Sequence, residues 1–341
     1  MASNGFFAVS RDTFVGACEL GINPACAFLV LACGTGKDNA TTRWSAEAVG
    51  NHAGMRWSAA KEAITALCGA GLVAKGGKPS RPSYKLHKGG PPIWLPRTLV
   101  EGAAGEVPPV AKMRQTQDPM ALRLLVELYT AQNLREDGGI STSVYNVKYE
   151  RRRAGEHGAY VVWDFTEPKA WVTWGDVTRP HRDVLTKQEE AAGKSAGTGF
   201  FRRFEALASL GLVEIVPYLY DGPQGEPMHP MTLTGLPIER ELYMAAEGAA
   251  ERMLGESWAQ SLQGITVPVQ KHITEAALIG MARLRYRPQT RLTGAWWAEH
   301  QSICGAFIDS YNALAAPVQP AFHAAVPSAF RAANSDFGTP F

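Results

Sequence analysis

The sequence is poor in the features that mark secreted and membrane-spanning proteins. Its 341 residues include only five cysteines, and no two of them form a C-x-x-C pair. The apolar stretch CAFLVLAC, residues 26–33, is too short to span a bilayer. The first residues carry Arg11 and Asp12 where a signal peptide would be apolar. We therefore expect buried, reduced thiols and a cytoplasmic protein.

Motifs for catalysis, cofactors and metals are missing as well. The eight histidines are scattered, without H-E-x-x-H or a Cys/His spacing that would hold zinc. No G-x-S-x-G motif occurs, and no acidic cluster has the spacing of a two-metal site. The segment ACGTGKDN is not a phosphate-binding loop, because Leu31 and Asp38 stand where the loop needs glycine and Ser/Thr. The sequence thus predicts neither an enzyme nor a cofactor or metal site.

The net positive charge of the chain is small, but basic residues are concentrated in one stretch. The formal net charge of the chain is +2. Between Lys37 and Arg97 ten basic residues face three acidic ones, which gives this stretch +7 and leaves −5 for the rest. A basic module on a mildly acidic body is typical of a protein that binds a polyanion. Solvated lysines on a surface hairpin are the alternative interpretation.

The most regular pattern lies within this basic stretch, in residues 45–73. Ser45 is a capping residue for a first short helix, and Gly54 supplies a turn. A longer second helix follows from about Arg56. Its apolar residues recur at the spacing of one buried helical stripe: Ala60, Ile64 and Leu67. The pattern predicts two helices joined by a tight turn.

The second helix ends in a glycine closure that leads into a basic segment. Gly71 stands where a left-handed residue ends a helix, and Leu72 after it is placed to pack back on Leu67. The segment AKGGKPSRPSYKL that follows predicts a β-hairpin. Helix, turn, helix, glycine closure and basic hairpin together resemble the winged helix-turn-helix family of DNA-binding domains, over roughly residues 23–86. The chain departs from that family where Arg56 and Trp57 replace a capping Ser or Thr.

The resemblance implies a recognition helix in the major groove and a hairpin wing on the phosphate backbone. Arg56 is the best candidate for reading bases, whereas Trp57 is explained more simply by burial at the helix junction. The residues that the helix would present to DNA are Arg56, Trp57, Ser58, Lys61 and Thr65. The residues that the wing would present are Lys75, Lys78, Arg81 and Lys85.

Part of this pattern occurs twice. ALCGAGLV, residues 66–73, recurs as ALASLGLV, residues 206–213, with the apolar stripe and the glycine kept. The repeat predicts a second, modified winged-helix unit, with an inserted hairpin turning at residues 166–168 and a wing in VEIVPYLYDGPQGEPMHPMTL. Arg202 and Arg203 would belong to a second phosphate-contacting surface, or are solvated loop charges. A chance match between two amphipathic helices is the alternative to the repeat itself.

The expected fold is α+β and mainly helical, with two winged-helix units bearing β-hairpin wings, plus C-terminal helices. The expected division is a DNA-binding domain at 1–88, a linker at 89–117, the second unit at 118–236, a C-terminal helical region at 237–314 and a disordered tail at 315–341. Residues 272–284 are among those expected to be helical.

These expectations together predict a protein that binds specific double-stranded DNA. Its role would be that of a transcriptional regulator, or of a replication initiator of a plasmid, phage or mobile element. The C-terminal helices are candidates for a homodimer interface. The tip at Pro340 and Phe341 resembles the terminus with which bacterial single-stranded DNA-binding proteins recruit replication partners, although a chance ending is the simpler explanation. A non-enzymatic protein-interaction adaptor is the alternative function.

Overall fold

The computed structural model describes residues 5–78, 81–132, 139–142, 144–171, 186–194, 196–255, 264–287 and 291–315. Of these residues 46% lie in helices and 27% in strands, and the strands include a large curled antiparallel sheet. The protein is therefore a sheet-rich α+β fold, and the prediction of a mainly helical chain is wrong. The predicted disordered tail from residue 316 onward, with its Pro340–Phe341 tip, lies outside the described residues.

The N-terminal part combines helices with two small sheets. Its first helices are α1 (Arg11–Glu19), α2 (Ile22–Cys33), α3 (Ala46–Ala53) and α4 (Trp57–Gly69). Its strands are β1 (Phe6–Ser10), β2 (Thr41–Thr42), β3 (Val73–Lys78), β4 (Arg81–Leu86) and β5 (Pro92–Pro96). Strands β1 and β5 form an antiparallel pair, and a three-stranded sheet has the order β2-β4-β3.

The predicted helix pair is confirmed in its details. The Ser45 hydroxyl accepts a hydrogen bond from the Glu47 amide at the start of α3, and Gly54 takes the left-handed conformation, φ 65°, in the turn. The predicted stripe of α4 is buried: Ala60, Ile64 and Leu67 are 0–5% exposed. Helix α4 therefore rests its apolar face on the core and turns its opposite face to solvent.

The segment predicted as a linker is part of the folded core. It holds β5, α5 (Thr98–Glu101) and α6 (Pro109–Gln115), and it precedes α7 (Pro119–Leu128). Leu95, Val100 and Met113 are fully buried. The prolines and glycines that suggested a linker instead mark the ends of short elements, as Pro109 does at the first position of α6. The prediction interpreted these prolines and glycines as an inter-domain linker, whereas they mark the ends of short folded elements.

The second half of the chain surrounds a six-stranded antiparallel sheet with the order β10-β7-β6-β11-β8-β9. Its strands are β6 (Asn146–His157), β7 (Tyr160–Trp171), β8 (Val213–Tyr220), β9 (Pro227–Pro230), β10 (Ile265–Gln270) and β11 (Ala277–Leu284). The helices around it are α8 (Lys187–Ala191), α9 (Ala196–Ser209), α10 (Pro237–Leu254) and α11 (Arg291–Ala315). The predicted C-terminal helical region thus contains two strands, β10 and β11.

The misassigned helix at residues 272–284 has a clear physical cause. Strand β11 pairs with β6 on one side and β8 on the other, and nearly all its residues are buried. A strand buried on both faces is a continuous apolar run, which has no alternation to separate it from a buried helix. Gly280 allows close packing here, because a β-carbon would lie 2.9 Å from Ile215 and 3.0 Å from Val147.

The inserted hairpin exists, but it turns at a different place from the one predicted. Strands β6 and β7 are twelve residues each and meet at Gly158, whose φ is 54°. Thr166 pairs with Glu150 within the ladder, so residues 166–168 are not a turn. A register shift between Lys148 and Glu150 lies opposite Pro168, and such a bulge accommodates a residue that has no amide hydrogen.

The sequence repeat corresponds to a structural repeat. Helix α4 closes with the Leu72 amide donating to the Leu67 carbonyl at 3.0 Å, and α9 closes identically from Leu212 to Leu207 at 3.0 Å. Strand β3 then pairs with β4 as β8 pairs with β11, and the order β6-β11-β8 repeats the order β2-β4-β3. The prediction of the second wing is therefore wrong in one respect. Strands β8 and β9 do form a hairpin at the sheet edge, but the strand that corresponds to β4 of the first unit is β11, not β9.

One apolar core joins the two halves of the chain. It runs from β1 and α2 through α7 to α9 and the end of β11. A second core lies between the six-stranded sheet and the helices α10 and α11, around Leu242, Val267 and Cys304. Among the described residues, no helix combines the length and the apolar character that crossing a membrane requires.

An ionic cluster, buried at Arg283 and Glu239, connects four elements around the second core: β8, β11, α10 and α11. The Arg283 guanidinium on β11 donates to both carboxylate oxygens of Glu239 on α10, at 2.5 and 2.7 Å, and to Glu214 at 2.5 Å. The Nε2 atom of His300 on α11 lies 2.8 Å from Glu239. Arg283 and Glu239 are both 0% exposed. Burial alone would raise the pKa of Glu239, but the hydrogen bonds from Arg283 and His300 hold it at about 2.

We expect Glu239→Gln to lower the free energy of unfolding at neutral pH by about 3 kcal/mol, because it breaks a fully buried ion pair and leaves the Arg283 guanidinium with only the partly exposed Glu214 as counterion. A carboxylate whose pKa is lowered by folding stabilises the native state above its unfolded pKa, near 4.3, and this contribution is lost as the pH falls toward the folded value, about 2. Denaturant unfolding as a function of pH measures both effects.

The matched control is Glu241→Gln, an exposed change on the same helix, which should leave the unfolding free energy nearly unchanged. Equal stability of the Glu239 variant and this control at pH 7 would contradict a structural role for the ionic cluster.

Candidate nucleic-acid interface

The outward arc of α4 presents the residues that the sequence predicted for DNA contact. Its apolar stripe packs on α2 and α3, so the residues out of phase with that stripe face solvent. Five side chains are exposed on this arc: Arg56, Trp57, Ser58, Lys61 and Thr65. The structure therefore brings together the whole predicted set of the helix.

Trp57 is exposed, and the interpretation that it is buried at the helix junction is wrong. Its side chain is 61% exposed, and the Lys61 ammonium lies 4.2 Å from the centre of its ring. Spacings of three and seven residues put Trp57 near the helical phase of Ala60 and Ile64, but it is the first residue of α4 and lies at the end of the helix, where its ring is exposed. An indole held beneath an ammonium group is a surface on which a sugar or a base can pack.

Helix α4 begins without a side-chain cap. Arg56 has an extended backbone, φ −64° and ψ 147°, and its side chain makes no capping hydrogen bond. The first amide groups of a helix have no partner within the helix and carry the positive end of its dipole. With Arg56 in place of a capping Ser or Thr, a cation and open amides thus lie at the same end of α4.

The hairpin distributes its cations over two faces. Lys75 pairs with Tyr84 in the ladder and lies near the Cys68 thiol on α4, where its charge opposes the rise that burial causes in the pKa of that thiol. Lys85 pairs with Ala74 and Thr41, on the other face of the sheet. Lys78 is exposed near the tip, whereas the side chain of Arg81 lies outside the described part. Among the hairpin cations that the structure describes, Lys75 is thus the one beside α4, and Lys78 is the one near the tip.

The exposed cations of this region lack carboxylate partners. In the part of the chain that the structure describes, no ion pair forms at any member of the set Arg56, Lys61, Lys75 and Lys78, which we name the basic surface. A surface cation that forms no ion pair is available to a phosphate without first leaving a carboxylate.

The second unit uses its arginines differently. Arg203 on α9 is 2% exposed and donates to Asp118 and Glu189, at 2.9 Å each. Arg202 lies 2.6 Å from Glu189. Arg203 is therefore not available to a phosphate as the sequence predicted, whereas Arg202 is 51% exposed but already paired with Glu189. In the repeat Arg203 corresponds to the buried Ala63, so its side chain points inward and meets the carboxylates there.

Arg114 is a residue that the sequence analysis did not identify. From α6 its Nε donates to the Ala53 carbonyl at 2.7 Å, and its Nη2 donates to the Gly54 carbonyl at 2.8 Å. These carbonyls belong to the turn between α3 and α4. Arg114 thus fixes the angle at which α4 leaves the turn. Arg114 lies in the segment that the sequence analysis predicted as a linker, and nothing local links it to residues sixty positions earlier.

Cys304, His300 and Glu239 lie close together but do not have the geometry of a catalytic triad. Cys304 Sγ lies 3.8 Å from His300 Nε2, the same nitrogen that contacts Glu239. A triad needs the two partners on opposite ring nitrogens. Burial raises the pKa of the Cys304 thiol to about 12, which keeps it protonated. The described residues also contain no group of three or more His, Cys, Asp or Glu side chains that could hold a metal ion.

Comparison of the chain with protein-family models, with curated proteins and with solved structures gave no match. The arguments for function therefore rest on the geometry and charge described above.

We expect Arg114→Ala to weaken duplex binding through α4 by about tenfold, because the loss of its hydrogen bonds to the Ala53 and Gly54 carbonyls releases the turn that orients α4. Fluorescence anisotropy with a labelled duplex measures affinity, and circular dichroism measures folding. Gln115→Ala, an exposed change on the same helix, is the control. Undiminished affinity of the Arg114 variant would remove the positioning role.

Proposed function

We propose that the protein binds specific double-stranded DNA through α4 and the β3–β4 hairpin. The observation that carries the proposal is the basic surface, a set of exposed cations on one helix and its neighbouring hairpin that form no ion pair within the described residues. The order helix, turn, helix, glycine closure and hairpin, on which the resemblance to winged helix-turn-helix domains rests, is the order of the elements from α3 to β4. Both observations support the same function.

The residues of α4 divide the work of recognition by their position and chemistry. Arg56, at the N-terminal end that enters a groove, can bond both acceptors of a guanine. Lys61 contacts a base or a phosphate, and Thr65, two turns along the helix, contacts sugar and phosphate. The phosphate contacts of Lys75 and Lys78 hold the domain in register without reading sequence.

The first unit, not the second, would carry the recognition. The residues of α9 that correspond to Arg56, Lys61 and Thr65 are Ala196, Phe201 and Glu205. None of these three side chains offers a guanidinium to a base, and the carboxylate of Glu205 repels a phosphate. The second unit keeps the scaffold of the first and lacks its chemistry.

The biological role within this proposal is that of a transcriptional regulator or of a replication initiator of a plasmid, phage or mobile element, acting in the cytoplasm. DNase footprinting on the DNA around the gene separates these roles. One palindrome beside a promoter supports regulation through a homodimer, and an array of direct repeats supports initiation. Absence of protection on any duplex supports the protein-interaction adaptor instead.

We expect Arg56→Ala to reduce the ratio of specific to non-specific affinity by about tenfold or more, because one bidentate Arg–guanine contact contributes about 1–3 kcal/mol of discrimination. Selection of bound sequences from a random duplex pool identifies the site, and competition with non-specific DNA then measures the ratio. Retention of the wild-type ratio would show that another residue reads the bases.

We expect Lys75→Ala with Lys78→Ala to weaken binding to all duplexes alike and to lower the salt dependence of log K by about 1.8, at about 0.9 for each phosphate contact. Titrations at several salt concentrations measure this slope. The matched control is Arg202→Ala, which should leave the slope unchanged because Glu189 already neutralises Arg202. A slope that changed in the control and not in the double variant would reverse the assignment of the two units.

A further inference from the structure

A cleft lined by arginine and tryptophan side chains lies outside the basic surface, where β11 ends and α11 begins. It has a volume of about 550 Å³ and is lined by Leu236, Arg285, Arg287, Thr293, Trp296 and Trp297. A neighbouring cavity of about 610 Å³ shares Leu236, Arg285 and Arg287 and extends along the start of β8. Cavities of this size accommodate a small molecule or a segment of a polymer.

The segment that follows β11 brings two arginines of the sequence RLRYR to the cleft. Arg285 and Arg287 come after the last strand residue, Leu284, and each lines both cavities. Leu284 and Tyr286 are buried in the first apolar core, which anchors the segment that carries these arginines. Arg283, within the strand, is buried in the ionic cluster instead.

The tryptophans of the cleft are held in place by stacking. The Arg287 guanidinium lies 4.7 Å from the centre of the Trp296 ring, and the Trp296 ring stacks on His300 with 4.7 Å between centroids. Trp297 is the neighbouring, half-buried indole. Rings fixed by packing lose little conformational freedom when a planar group stacks on them, which favours binding.

Two carboxylates face these cations. Glu214 bonds to the buried Arg283 and lines the neighbouring cavity. Glu106 accepts a hydrogen bond from Arg285 Nη2 at 2.6 Å, and both side chains remain partly exposed, 34% for Glu106 and 51% for Arg285. An exposed pair of this kind contributes little stability, so an incoming anion can replace the Glu106 carboxylate on Arg285.

We propose that this cleft binds a nucleotide unit, with Arg285 and Arg287 on the phosphate and Trp297 against the base. Guanidinium groups match phosphate oxygens in geometry, and an indole stacks on any base. The unit belongs either to a free nucleotide or to a single strand of nucleic acid. The neighbouring cavity gives room for the next nucleotide of a strand. The proposal goes beyond duplex recognition and does not depend on it.

The test uses the full-length protein and two fluorescent probes, an ATP analogue and a thymidine oligonucleotide of about ten residues. Arg285→Gln and Trp297→Ala are each expected to weaken binding about tenfold, since one stacked base contributes a comparable factor. Glu106→Gln is expected to tighten binding severalfold, because it removes the competing carboxylate. A purely structural role of Glu106 would not produce tighter binding. Trp94→Ala, an exposed tryptophan elsewhere, is the control.

The two probes distinguish the source of the nucleotide. Binding of the ATP analogue supports a free-nucleotide site, and binding of the oligonucleotide alone supports a single-strand site. The measurements are repeated in a Lys75→Ala, Lys78→Ala background so that the basic surface does not contribute. If Glu106→Gln binds no tighter, and the Arg285 and Trp297 variants bind as the Trp94 control does, the proposal is overturned. Duplex affinity is measured in parallel and should not change in the cleft variants.

Discussion

Each of the two repeated helices in this protein ends at a glycine with φ near 70°, and the closure sends the chain back into a strand. At Gly71 and Gly211 φ is 71° and 67°, a conformation that costs an L-residue about 1 kcal/mol or more. The amide of the residue after each glycine, Leu72 or Leu212, donates a hydrogen bond to a carbonyl in the last turn of its helix, that of Leu67 or Leu207. The strand that follows is thereby fixed beside the helix. The relative placement of α4 and its hairpin, on which the proposed function rests, follows from this closure.

The same scaffold carries opposite chemistry in its two copies. In the first, the outward arc of the helix bears Arg56, Lys61 and Thr65, and a short hairpin follows directly. In the second, the equivalent strand pairing is completed only after β9, α10 and β10 have been inserted between β8 and β11. The second copy thereby builds the larger sheet, whereas the first copy keeps a short hairpin of its own.

Carboxylate placement decides which arginines and lysines are available for binding. Arg203 and Arg283 are buried and paired with Asp118, Glu189 or Glu239, so they stabilise the fold. The basic surface has no such partner among the described residues. Arg285 is intermediate, because its partner Glu106 is partly exposed and can be displaced. The net charge of the chain, +2, conceals this difference entirely.

Local patterns in the sequence were sufficient for several elements. The stripe of α4, its capping serine and its glycine closure each depend on residues within about five positions of one another, so periodicity and turn chemistry predict them. The repeat of the closure was visible for the same reason. Trp57 could not be placed in this way, because spacings of three and seven residues put it near the helical phase of Ala60 and Ile64 and therefore predict burial.

Other features depend on partners far along the chain, and only the tertiary structure decided them. Strand β11 is a strand because β6 and β8 flank it, and residues 92–115 belong to the core because β5 pairs with β1. Arg203 is neutralised by Asp118, 85 positions away, and Arg114 reaches a turn 60 positions away. The sequence by itself determined where helices turn and close, because those interactions are short in range. Which cations remain free was decided by folding, because an ion pair forms between whichever side chains the packed core brings together.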